Sequence, residues 1–137
     1  SDMDMSFVNQ YNDNQISSEG LFSLIHNHRV VKQNKIKALK LVLVCGIADP
    51  ESFIKGVESL GIDSINKNIF YDHHRYSEND ITRLMQQMDS CDCDGIITTY
   101  KDYYKLKKLD PHFKIYILKM DLKMNSDILL NLIRGKV

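Results

Sequence analysis

The run Leu41-Val42-Leu43-Val44-Cys45 is apolar at every position, which excludes a strand with one wet face. A half-exposed strand alternates, whereas an unbroken apolar run of this length suits a strand covered on both sides, the usual condition in a parallel sheet. The residues that follow suit a crossover helix. Gly46 provides a tight exit, Asp49 an N-cap, and Pro50 the first helical position, where a missing N–H costs nothing. Phe53, Ile54, Val57 and Leu60 recur at helical spacing, and Gly61 supplies a left-handed stop.

The same rhythm repeats. A strand over 65–71 leads to a helix opening at Ser77, with Asp80 completing a capping box and Ile81, Leu84, Met85 and Met88 forming the buried stripe. A strand over 95–99 leads to a helix over 101–109. A strand over 114–120 leads to a helix capped near Asn125 or Ser126, which buries Ile128, Leu129, Leu132 and Ile133 and ends at Gly135. Strands alternating with helices at this pace predict an α/β fold, a small three-layer Rossmann-like domain. Its parallel strands are joined by right-handed crossovers, and the expected order of the four is 2-1-3-4.

Ahead of this domain, spanning 37–137, the pattern differs. Residues 1–19 cluster Asn, Asp, Gln and Ser around Phe7, Val8 and Tyr11, and a loose lead-in beginning with a cloning remnant is expected. Residues 20–36 hold two short β-leaning runs about Asn27-His28, a pair able to take the positive φ of a hairpin turn, so a β-ribbon is predicted. A helix capped by Ser18 is the competing reading, and Gly20 weighs against it by roughly 1 kcal/mol.

Composition narrows the functional classes. With 137 residues the chain is long enough for one modest core. Its 18 basic and 18 acidic residues balance, so no overall field attracts nucleic acid. Three sparse cysteines and no recognisable leader predict a reduced, cytoplasmic setting. The longest apolar stretch, 39–47, is interrupted by Lys40 and falls short of the roughly 20 residues of a spanning helix. Any membrane contact is therefore expected to be peripheral.

Chemistry concentrates in Asp72-His73-His74-Arg75, at the end of the second strand, where open α/β sheets place their ligands. An acid can orient an imidazole, the imidazole can exchange a proton near neutral pH, and the guanidinium can clamp a phosphate or carboxylate. Asp72-His73-His74 also matches three letters of the manganese phosphoesterases named for an Asp-His-His motif. Those enzymes need metal-binding acids on earlier strands, and Val44-Cys45-Gly46 offers none. Cys91-Asp92-Cys93-Asp94 lacks the second pair a zinc site requires and reads as a surface turn. Gly46-Ile47-Ala48-Asp49-Pro50 has one glycine where a dinucleotide loop has three, and no glycine-lysine-serine phosphate loop occurs. At Thr98-Thr99-Tyr100-Lys101-Asp102, capping accounts for Thr99 and Asp102 but leaves Lys101 opposing the helix dipole.

Taken as an ordered set, Val44-Cys45-Gly46-Ile47-Ala48-Asp49-Pro50-Glu51-Ser52-Phe53, then Phe70-Tyr71-Asp72-His73-His74-Arg75-Tyr76-Ser77, then Ile97-Thr98-Thr99-Tyr100-Lys101-Asp102 resemble the C-terminal part of the tetraacyldisaccharide 4'-kinases. The resemblance covers roughly residues 20 to 137. It implies a preceding P-loop domain that carries ATP and Mg2+, a connecting β-ribbon similar in place to 21–32, and phosphorylation of a lipid A precursor at the inner membrane. It also implies catalytic roles for Asp72 and His73, with His73 pairing with a carboxylate of the P-loop domain to position or deprotonate the sugar hydroxyl. His74, Arg75, Thr99 and Lys101 are the implied substrate contacts or loop braces. No cofactor or metal ligand is expected among these residues, and the chain alone is expected to be inactive. The sequence departs from the family at Tyr100, where glutamate is usual. The alternative is a non-catalytic α/β docking module that kept the fold and lost the chemistry.

Overall fold

The computed structural model describes residues 15–17, 20–120 and 133–134. The lead-in before residue 15 and the helix expected from Asn125 or Ser126 lie outside them. The chain forms β1 (Gln15–Ser17), β2 (Gly20–His26), β3 (Arg29–Val30), a single turn α1 (Gln33–Ile36), β4 (Leu41–Cys45), α2 (Pro50–Ser59), β5 (Ser64–Ile69), α3 (Glu78–Cys91), β6 (Gly95–Thr98), α4 (Tyr100–Lys107) and β7 (Lys114–Met120).

These strands make one seven-stranded sheet in the order β1-β2-β7-β6-β4-β5, with β3 pairing β2. β5, β4, β6 and β7 are mutually parallel neighbours, whereas β2 joins β7 antiparallel through Phe22 to Ile25. The ribbon is thus no separate appendage to a parallel sheet, and the sheet is mixed. Asn27 and His28 turn the hairpin with φ of 51° and 63°, the left-handed conformation that their polar side chains tolerate. A second difference concerns the lead-in, because Gln15–Ser17 pairs along β2. Such edge pairing uses backbone groups alone, which is why a polar composition concealed it.

All five residues of β4 are buried, and they divide by alternation. Leu41, Leu43 and Cys45 face Phe53, Val57 and Leu60 of the α2 segment, together with Phe22, Leu24 and Leu118. Val42 and Val44 face Ile81, Leu84 and Met88 of α3 and Leu106 of α4. Helices therefore cover both faces of the parallel strands, and each buried aliphatic side chain contributes about 1.5–3 kcal/mol. Met85 departs from the expected stripe and is exposed. The buried row on α3 runs Ile81, Leu84, Met88, alternating three- and four-residue steps, and a residue four on from Ile81 lies on its flank.

The cysteines also differ from expectation. Cys45 is free and buried, but Cys91 and Cys93 form a disulfide. Between them Asp92 adopts left-handed φ of 55° as the C-cap of α3, folding the chain back so that the two Cα atoms lie 5.3 Å apart.

Candidate active site: the loop after β5

Strand β5 ends earlier than the apolar pattern implies, although Phe70 still donates its N–H to the Cys45 carbonyl at 2.8 Å. From there the chain crosses the carboxyl ends of the parallel strands to reach Ser77. Ser77 caps α3, and the Asp80 side chain accepts in return from the Ser77 N–H.

Three of the expected residues meet at the outer surface of this crossing. Lys101 Nζ donates to Asp72 Oδ1 at 2.9 Å, and His73 Nε2 lies 3.4 Å from Asp72 Oδ2. Lys101, unexplained by capping, is accounted for by this contact. Its hydrogen bond is the largest influence holding the Asp72 carboxyl below the usual carboxylate range. His73 presents its ring to solvent, with 78% of the side chain exposed. Its φ of 64° is a left-handed conformation that non-glycine residues adopt mainly where surrounding structure imposes it.

His74 points inward. Its ring stacks on Phe70 at 4.0 Å between centroids and meets Tyr76 edge-on at 4.8 Å, while Nε2 lies 3.0 Å from Asp80 Oδ2. These contacts hold His74 within the loop. Burial alone would push the Asp80 carboxyl up, but hydrogen bonds from His74 and the Ser77 N–H hold it below the usual range. A depressed folded value means that this carboxylate stabilises the fold fully above about pH 4 and ceases to as pH falls through the depressed value. Asp80→Asn should therefore cost about 1 kcal/mol at pH 7, with the gap from wild type narrowing as the pH is lowered from neutrality through the carboxylate range. Urea unfolding across that pH range measures it, and a gap independent of pH would remove Asp80 from this role.

Thr99 is buried, and its hydroxyl is fully engaged. It accepts from the Asp102 N–H at 3.1 Å and donates to Asp102 Oδ2 at 2.7 Å. It therefore does not face the cleft as a substrate contact would. The guanidinium of Arg75 makes no hydrogen bond or ion pair among the described residues.

The residue that spacing did not single out is Asp102. Its side chain is completely buried, and besides Thr99 it accepts from the Gly46 N–H at 3.0 Å and from the Tyr76 hydroxyl at 3.1 Å. One carboxylate thus ties the exits of β4 and β6 to the loop after β5. Burial and the nearby Asp102 charge push the Tyr76 phenol up, and the same two influences push the Cys45 thiol up to about 12. Gly46 suits this junction, since a Cβ would stand 3.1 Å from the Tyr71 carbonyl oxygen and 3.2 Å from His74 Cβ, closer than ordinary van der Waals contact.

Comparison with known proteins bears on the whole arrangement. The family model described as tetraacyldisaccharide-1-P 4'-kinase matches residues 5–137. The chain belongs to this family. Among curated members, the tetraacyldisaccharide 4'-kinase of Halothermothrix orenii is 27% identical over 119 residues, covering 82% of this chain and 30% of the relative. That of Rickettsia canadensis is 31% identical over 106 residues, covering 77% and 32%. That of Syntrophobacter fumaroxidans is 39% identical over 77 residues, covering 56% and 20%. The chain thus spans about a third or less of the kinases it matches. Among solved structures, the "apo" form of the kinase from Aquifex aeolicus in complex with ATP aligns with TM-score 0.46 and 22% identity, over 83% of this chain and 33% of that one.

Proposed function

We propose that this chain is the C-terminal part of a lipid kinase that moves the γ-phosphate of ATP to the 4'-hydroxyl of a tetraacyldisaccharide lipid A precursor. Asp72 and His73 are its contribution to the reacting centre. The observation that carries this reading is the Asp72, His73 and Lys101 cluster, held at the carboxyl ends of parallel strands by a loop anchored from beneath. Family membership and a conformationally constrained, solvent-facing imidazole support it.

The chemistry follows from the geometry. Lys101 holds Asp72, and Asp72 lies beside Nε2 of His73, which leaves Nδ1 as the ring nitrogen free to accept the hydroxyl proton. An imidazole so exposed needs a second surface to exclude water and bring the phosphate donor. The sequence holds no glycine-lysine-serine loop to cradle ATP, and the described residues hold no metal-ligating cluster for Mg2+. We therefore assign both to a P-loop segment outside these residues. The whole enzyme would work at the cytoplasmic face of the inner membrane, touching it peripherally.

Calorimetry with ATP tests the division of labour. The 137-residue chain should give no binding heat and no transfer, whereas the protein including the P-loop segment should phosphorylate the lipid acceptor. Micromolar ATP affinity in the chain alone would overturn it.

A further inference from the structure

We infer that Cys91 and Cys93 form a reversible thiol–disulfide exchange site, opened by a dithiol reductant and closed again without unfolding of the chain. The pair sits where α3 ends and the chain turns toward β6, at the opposite end of that helix from the His73 loop. Over the 14 residues of α3 this separation is roughly 20 Å. The exchange is therefore independent of the proposed phosphoryl transfer.

The turn that carries the two sulphurs is closed without them. The N–H groups of Asp92 and Cys93 both donate to the Met88 carbonyl, the second at 3.0 Å. Just beyond, Asp94 donates its N–H to the Lys40 carbonyl at 2.7 Å and accepts the Lys40 N–H at 2.8 Å, which fixes the start of β6 beside the start of β4. The disulfide itself encloses one residue, Asp92, and a loop so short removes little freedom from the unfolded chain. Opening it should cost the fold little. Both cysteines are only half buried and flank an exposed Asp92, so a reductant can reach the sulphurs. The reduced form is accommodated as well, because Cys91 Sγ lies 3.7 Å from the Met88 carbonyl oxygen, an acceptor for the thiol proton.

One thiolate of the dithiol attacks a sulphur of the pair, which breaks the Cys91–Cys93 bond and forms a mixed disulfide. The second thiolate breaks that bond in turn and leaves the reductant as a cyclic disulfide. Two electrons and two protons thus pass from the dithiol to the protein, which ends with two thiols. Because the Cα atoms lie 5.3 Å apart, the freed thiol stays beside the mixed disulfide and expels a monothiol before the adduct accumulates. A dithiol, which closes its own ring, completes the step.

The test equilibrates the 137-residue chain in graded ratios of reduced to oxidised dithiothreitol, blocks free thiols with iodoacetamide and counts the adducts by mass. Wild type should move from no adduct to two, both mapping to Cys91 and Cys93, while the completely buried Cys45 adds a third only in denaturant. Thermal midpoints of the two end states should agree within about 4 °C. Two adducts at every ratio, a bond that opens only in denaturant, or a larger fall of the midpoint on reduction each overturn the inference. Cys93→Ser leaves Cys91 without its neighbour and should hold a glutathione adduct that wild type does not accumulate. Equal adducts in the two proteins, or none in the variant, overturn the pairing. Lipid phosphorylation enters none of these readings, so this inference and the kinase assignment fail separately.

Discussion

His73→Ala, in a protein that includes the proposed P-loop segment, is expected to lower phosphoryl transfer to the lipid acceptor by about 100-fold or more, the usual contribution of a positioned general base. It should do so without weakening the fold. The side chain is 78% exposed, and among the described residues its one ion pair is to the carboxylate of the preceding residue, so its removal opens no cavity. Most of the loss should appear in kcat, because a base acts on the hydroxyl as the transition state forms and contributes little to holding the lipid. Asp72→Asn should cost less, since it removes the charge that orients the imidazole and leaves the imidazole in place. Near-normal turnover in His73→Ala would take this residue out of the mechanism and leave the loop as family ancestry.

The largest stability effect is expected from Asp102→Ala. That change leaves the Gly46 N–H, the Thr99 hydroxyl and the Tyr76 hydroxyl facing an apolar void, where each unsatisfied donor costs roughly 1–3 kcal/mol, so about 4 kcal/mol in all is expected. A loss of that size is a large share of the whole stability of a single domain. Asp102→Asn should recover part of it, because an amide oxygen can still accept while its nitrogen meets donors only. Tyr76→Phe removes one of the three bonds and keeps the ring against Phe70 and His74, so about 1 kcal/mol is expected there. Urea unfolding of the three variants orders them, and an Asp102→Ala midpoint close to wild type would show that the carboxylate does not hold these loops together.

Much of the architecture was legible in local pattern. The unbroken apolar run at Leu41–Cys45 required cover on two faces and received it from α2 on one side and α3 and α4 on the other. The caps were equally readable, because Asp49, Ser77 and Thr99 each accept from a backbone N–H three residues on, a relation contained in a few adjacent letters. The hairpin turn at Asn27 and His28 belongs to the same class.

What stayed hidden depends on partners far apart in the chain. The pairing of β2 with β7 joins residues nearly a hundred positions apart through backbone bonds that any side chain permits. The site divides in the same way. Its acid and imidazoles could be named from composition at a strand exit, but that His73 faces solvent while His74 turns into the loop was decided by the left-handed turn at His73 and the packing around Phe70. Lys101 found Asp72 only because α4 starts beside the loop after β5. Asp102 looked like an ordinary cap residue because its other bonds reach Gly46 and Tyr76, across strand exits that sequence spacing does not connect. Periodicity and caps, which act within a few residues, were settled by the order of amino acids. The convergence of three strand ends on one buried carboxylate was settled by the sheet, because only folding brings those groups within bonding distance.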